Sequence, residues 1–202
     1  MSDLEKIIYT IGYSSFEIGS FIETVKKHHI NAIVDVRSSP YSQYKPDFNR
    51  EILKEALQKN NISYVFLGKE CGARVDDKSC YVNGKVDYSL VSKLEIFQNG
   101  IQRLIDGASK FSLALLCAEK DPITCHRTIL ICKNLKNHGV IIMHVLENGK
   151  LEAHYDSEKR LLKLFKLHHP DLFRSEQNRL DEAYLRQGEK IAYEPEKQNE
   201  TN

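Results

Sequence analysis

Five short and almost wholly apolar runs divide this chain: 7–13 (IIYTIGY), 32–36 (AIVDV), 62–67 (ISYVFL), 111–117 (FSLALLC) and 140–146 (VIIMHVL). The segments between them are helix-length and carry apolar residues three and four apart. Ile18, Phe21, Ile22 and Val25 follow the first run. Ile52, Leu53, Ala56 and Leu57 follow the second. Leu94, Phe97, Ile101, Leu104 and Ile105 precede the fourth. A strand that is apolar throughout has both faces buried, and strands alternating with helices imply a parallel sheet covered on each side. The pattern therefore predicts an α/β three-layer sandwich with a mostly parallel five-stranded sheet. Asn148-Gly149 is a strong hairpin signal, so residues 150–154 are expected to return antiparallel on an edge. After residue 155 the strand pattern stops. Residues 1–155 are read as the α/β domain, and 156–202 as a charged helical extension whose last residues, EPEKQNETN, are expected to be disordered.

Local signals refine the picture. Ser14 with Glu17 fits a capping box, and Tyr13 with Ile18 the accompanying hydrophobic staple. Asp121-Pro122 reads as an N-cap and the first turn of a helix reaching about Asn137, ended by His138-Gly139. Composition excludes whole classes. With 29 Lys+Arg against 28 Asp+Glu, the net charge is +1, which excludes a broadly basic nucleic-acid coat but not a local basic site. No apolar run reaches the roughly 18 residues needed to span a bilayer. The first residues do not read as an export signal, and the five cysteines are irregularly spaced. Reduced thiols, no membrane partner and a cytoplasmic location are the expectation.

In parallel sheets, ligands bind beyond the carboxyl ends of the strands. Four loops lie there: Gly12–Ser15, Arg37–Tyr44, Gly68–Arg74 and Cys117–Arg127. The fourth is the densest in chemistry, with Cys117, Glu119, Cys125, His126 and Arg127. A helix N-terminus favours anions and lowers a thiol pKa. Arg127 lies one turn before Leu130 and Ile131, so it faces inward and needs an anionic partner, either a ligand or a structural carboxylate such as Asp35 or Glu119. Arg37 follows a buried strand and is expected to point toward the same crevice. Arg37, Arg127, hydroxyls including Ser14 and Ser42, and the helix N-terminus together describe an oxyanion site, most simply for phosphate. Gly12, Tyr13, Pro40 and Cys125 complete the expected binding set. Tyr13, Tyr41 and Tyr44 could stack on a base or sugar, or simply pack at the rim.

The catalytic candidates are Glu119 as general acid or base, Cys117 and His126, with Asp35 orienting an arginine. Cys117 also fits a small buried residue at a strand end, and His126 a helix-surface residue. Cys132 reads as core. A phosphatase-type loop would need arginine six residues after Cys117, where Ile123 stands. Cys-x7-Cys-His lacks the paired spacing of zinc ribbons, and no pattern requires Cys71 or Cys80 to complete a site. Neither a dinucleotide fingerprint nor a P-loop is present. The reading accordingly assigns no metal and no cofactor.

The ordered set Thr10-Ile-Gly-Tyr-Ser14, Asp35-Val-Arg37 with Pro40 and Ser42, Pro46-x-Phe48-Asn49, Leu67-Gly68 to Gly72-Ala-Arg74, and Cys117-Ala-Glu119 with Pro122 and Cys125-His126-Arg127 resembles the prokaryotic family catalogued as domain of unknown function 488. The resemblance covers about residues 7–155, and Ala183 to Ile191-Ala-Tyr193 also looks like that family's tail. It implies an α/β domain with these motifs around one cleft, and no established reaction. The third loop departs from the pattern, reading Gly68-Lys-Glu-Cys-Gly72 where members often show adjacent glycines. The polar stretch from Arg74 to Ser89 departs too, which leaves the pocket's shape open. Three functions are consistent with the residues. The first is a hydrolase or group transferase acting on a phosphorylated small ligand or nucleic acid. The second is a non-catalytic nucleotide-ligand sensor that presents its C-terminal helices to a protein partner. The third is a cysteine-dependent thiol enzyme.

Overall fold

The computed structural model describes residues 6–170 and 172–195. The central sheet has six strands rather than five: β1 (Ile7–Gly12), β2 (Ala32–Asp35), β3 (Ser63–Phe66), β6 (Leu113–Cys117), β7 (Ile141–Val145) and β8 (Leu151–Ala153). Their order is β3-β2-β6-β1-β7-β8. All pairings are parallel except β7 with β8. The sixth strand is the hairpin return anticipated at 150–154. Gly149 takes a positive φ of 70° in its turn, a conformation that glycine adopts without strain. A small hairpin, β4 (Tyr81–Val82) with β5 (Lys85–Val86), forms within the long polar loop.

Two apolar layers cover the sheet. α1 (Ile18–Lys27) and α2 (Arg50–Gln58) bury Phe21, Val25, Leu53 and Leu57 against Ile11, Ile33, Ala114 and Leu116. The opposite layer holds short α3 (Gly68–Cys71) and α4 (Tyr88–Val91), then α5 (Glu95–Ala108) and α6, residues 127–138. There Phe97, Ile101, Leu104, Leu130 and Ile131 pack on Ile8, Val34, Val36, Leu113 and Leu115. Alternation along each strand sends successive side chains to opposite layers, which is why the strands read as unbroken apolar runs.

The helical extension is not a loose appendage. α7 (His154–Leu164) and α8 (Glu176–Ile191) form a third apolar cluster with Ile123 and Ile129. Arg160 forks between Asp121 (2.8 and 3.1 Å) and Glu152 (2.8 and 3.0 Å), and Gln187 Nε2 donates to the Ile123 carbonyl at 2.7 Å. Of the tail expected to be disordered, Glu194 pairs with Lys85 at 3.5 Å, while 196–202 lie outside the described residues. No helix among the described residues is long and apolar enough to cross a membrane.

Two local expectations are corrected. Glu17, not Ser14, caps α1, with no side-chain bond, because 13–16 close a turn (Phe16 N to Tyr13 O, 2.9 Å) that delays the helix. That turn is held over β6 by bonds from Tyr13 and Ser14 N–H to the Cys117 and Ala118 carbonyls, each 3.0 Å. Asp121 does cap Pro122–Thr124, but as a separate 3-10 turn. Cys125 is extended, and α6 starts after it.

Candidate active site

β6 lies between β1 and β2, so its carboxyl end sits where the connections of both neighbours depart, the position where open sheets form a crevice. Cys117 is its last residue and faces the α6 layer. The chain then loops through Glu119 and returns at Cys125-His126. Glu119 Oε2 contacts Cys117 Sγ at 3.0 Å and Cys125 Sγ at 2.9 Å. His126 Nδ1 lies 3.5 Å from Cys117 Sγ and 3.8 Å from Cys125 Sγ, and its Nε2 is 3.1 Å from the Val36 carbonyl. One donor atom from each of Cys117, Glu119, Cys125 and His126 lies within 4.8 Å of the others, so these four residues could together hold a metal ion. Both thiols and His126 are buried, whereas Glu119 is exposed on one side.

The first turns of α6, Arg127–Cys132, are π-helical, with the Lys133 N–H bonded back to the Thr128 carbonyl. Such turns recur at functional sites. Arg127 N–H points at Cys125 Sγ at 3.4 Å. The Arg127 side chain is fully buried, and its bonds go to neutral oxygens: Thr10 Oγ1 (3.3 Å), the Glu119 carbonyl and the Lys120 carbonyl (3.2 Å). Gly12 permits this approach. A Cβ there would lie 1.8 Å from the Glu119 carbonyl oxygen and 3.1 Å from an Arg127 nitrogen.

The electrostatics follow from these contacts. Burial raises the Cys117 thiol, as does its hydrogen bond to Cys125. Burial works in the same sense on Cys125, but the Cys117 hydrogen bond, Arg127 and His126 outweigh it and hold the Cys125 thiol below its ordinary value. His126 is raised in spite of burial, because it faces Cys125 and Glu119. Glu119 is raised by burial first and by the Cys125 charge second.

Asp35 and Arg37, expected in the same crevice, are elsewhere. Ile33 belongs to the α1–α2 layer, and alternation sends Asp35 and Arg37 to that layer too. Arg37 makes a two-pronged pair with Asp35 (2.8 and 2.6 Å), donates to the Phe48 carbonyl at 2.9 Å and stacks at 4.9 Å over the Tyr13 ring. Tyr64 donates to Asp35 at 2.7 Å. Asp35 does orient an arginine, but it is Arg37, within its own layer and away from the thiols. Arg37 and Arg127 occupy opposite faces of the sheet, so they do not converge on one anion. Arg127 bonds neither Asp35 nor the Glu119 carboxylate. Pro40 is buried and accepts from Arg50 N–H at 3.0 Å, Ser42 braces the loop to Asn49 and Lys45, and Ser14 is exposed on its turn. His126, far from being a helix-surface residue, is buried.

The open side of Glu119 faces a cavity of about 370 Å³ lined also by Ala73, Arg74, Lys85, Lys190, Tyr193 and Glu194. The Arg74 guanidinium stacks at 4.8 Å over Tyr193, whose carbonyl accepts from Val86 N–H at 3.0 Å. These cations were missed as site residues. Arg74 and Tyr193 stood in the motifs, but one comes from the loop after α3 and the other from just past α8, and their meeting beside Glu119 is a non-local contact. A larger cavity of about 460 Å³ between β4–β5, α4, α6 and α8 is lined by Tyr88, Lys133 and Tyr184, with neither thiol nor His126.

Comparisons with curated proteins and with solved structures return no match. The family described as Domain of unknown function DUF488 matches residues 17–133, a span that includes the whole Cys117–Arg127 loop, and the chain belongs to that family.

Proposed function

We propose that this chain is an enzyme of the hydrolase or group-transferase class, acting on a small phosphate-bearing substrate such as a nucleotide. The carrying observation is that one carboxylate, Glu119, both lines a cavity bearing Arg74, Lys85 and Lys190 and touches two thiols beside a buried histidine. The cations would hold the substrate's phosphate, and Glu119 would exchange a proton at the reacting end. Its pKa, raised by burial, suits that task. A reducing compartment such as the cytoplasm fits this reading, because the cluster needs free thiols.

The test is calorimetric titration of inorganic phosphate and a nucleoside monophosphate into the wild type, Arg74→Ala and Lys190→Ala. Loss of one such contact is expected to weaken binding roughly tenfold, as for a charge-assisted hydrogen bond. No binding to the wild type, or equal binding to all three proteins, refutes the proposal.

A further inference from the structure

We propose that Cys117, Cys125 and His126 bind one transition-metal ion of the zinc class, with Glu119 as an exchangeable fourth ligand on the cavity side. The donor spacing supports this. Tetrahedral coordination with bonds of about 2.0–2.3 Å separates neighbouring donors by roughly 3.3–3.8 Å. The Cys–His separations are 3.5 and 3.8 Å, and the Cys–Glu separations of 3.0 and 2.9 Å need to open only slightly. The soft ligand set of two thiolates and an imidazole selects zinc-class ions over magnesium or calcium.

The surroundings supply a second line of argument. His126 donates its Nε2 proton to the Val36 carbonyl, which fixes the ring with Nδ1 toward the sulfurs. A backbone carbonyl on the far nitrogen is the usual support of a metal-ligating histidine. Charge balance points the same way. Two thiolates and a carboxylate around a dication sum to one negative charge. Arg127, fully buried, with Thr10 and two backbone carbonyls as its oxygen acceptors and the Cys117, Glu119 and Cys125 side chains close by, supplies the compensating positive one. Without a cation, the three acids must share protons along the short S···O contacts. Metal entry would displace whatever protons the ligand atoms carry.

The ligands come from a strand end and a helix start, both rigid, while Glu119 comes from the loop between them. Three protein ligands plus one displaceable position is the arrangement of a catalytic site rather than a structural one. The catalytic consequence rests on the function proposed above, but the metal itself is read out without any substrate. A chain that takes up metal and ignores phosphate therefore fails only the former proposal, and the converse fails only this one.

The experiment is titration of the reduced, metal-free full-length protein with Co²⁺ and Zn²⁺, followed by elemental analysis after gel filtration. About one ion per chain is expected, with thiolate-to-cobalt charge-transfer bands and proton release on binding. Cys117→Ser, Cys125→Ser and His126→Ala should each lower affinity at least tenfold. Glu119→Gln should retain the ion with altered cobalt bands, and Cys132→Ser should retain it unchanged. The wild-type titration needs no variant to fold. Absence of uptake by the reduced wild type overturns the assignment, as does uptake undiminished in both Cys117→Ser and Cys125→Ser.

Discussion

Gly12→Ala tests how the sheet and the site are joined. Gly12 pairs with Cys117 in the β1–β6 register, so it cannot move away without shifting the central strands. A Cβ on it would lie 1.8 Å from the Glu119 carbonyl oxygen and 2.6 Å from its carbon, where ordinary contact begins near 3.4 Å. The Glu119 backbone would have to retreat by about 1.6 Å, from the one place where its carbonyl accepts from Arg127. Overpacking of this kind costs about 1–3 kcal/mol. A buried guanidinium N–H that loses its acceptor costs about 1.5–3 kcal/mol more. The expected loss is about 3–5 kcal/mol, read as a drop in the urea midpoint at constant slope. Gly19→Ala is the control, since nothing lies within 4 Å of its added Cβ and it sits in the first turn of α1. That change should be neutral or stabilise by less than the roughly 0.5–1 kcal/mol of a mid-helix position. If Gly12→Ala unfolds within about 1 kcal/mol of wild type, the tight seat of residue 119 is refuted.

Further outcomes follow from other buried groups. Arg127 donates to Thr10, and a chain of bonds runs on through His144 (2.8 Å), His154 (3.0 Å), Tyr184 (3.1 Å) and Glu158 (2.8 Å). Burial depresses His154 from 6.5 to about 4 despite nearby Glu158 and Glu152, with Lys136 adding to the depression; His144 is depressed by burial and by His154. The unfolded chain takes up these protons first, so stability should fall as pH drops from 6.5 to about 4. His154 alone accounts for about 3 kcal/mol. Denaturant midpoints against pH check this, and a flat profile in that window would contradict it. Asp35→Ala strands the buried Arg37 guanidinium and should cost about 3–5 kcal/mol, most of it recovered in Asp35→Ala with Arg37→Met. A double variant no more stable than the single one would show that the charge is not what is stranded. Tyr193→Ala removes the ring beneath Arg74 and should weaken phosphate binding severalfold while leaving metal content unchanged. Equal loss of both would mean that the tail holds the fold rather than the cavity.

What the sequence could and could not disclose here has a geometric reason. Strand and helix order depend on local periodicity, and apolar runs such as 111–117 signal burial on both faces without reference to the rest of the chain. Which loops share a crevice depends on strand order and register, which are non-local. Parity alone tells that Asp35 and Arg37 share a face with Ile33, and that Cys117 shares one with Leu113 and Leu115. Whether those faces coincide is settled only by pairing Asp35 with Leu116, not with Cys117. That single register puts the Asp35 side chain beside Leu116 and opposite Cys117, and so separates Arg37 from Arg127, the two arginines expected in one crevice. Cys117, Glu119, Cys125 and His126, by contrast, lie within ten residues of one another on a strand–loop–helix turn, so their convergence is local and could be anticipated. Their metal-ligand geometry could not, because Cys-x-Glu-x5-Cys-His matches no paired-cysteine spacing. It becomes visible only when the extended Cys125 ahead of the π-helical turn brings its sulfur back to Glu119. The cations of the cavity are further still from local reading. Arg74 follows α3, Lys85 belongs to β5 and Lys190 to α8, so they meet around the Glu119 cavity only through tertiary packing, in which Arg160 and Gln187 lock α7 and α8 onto the 121–123 turn. The helical extension is therefore one wall of the site, and removing residues 156–202 should abolish phosphate binding along with stability rather than separate the two.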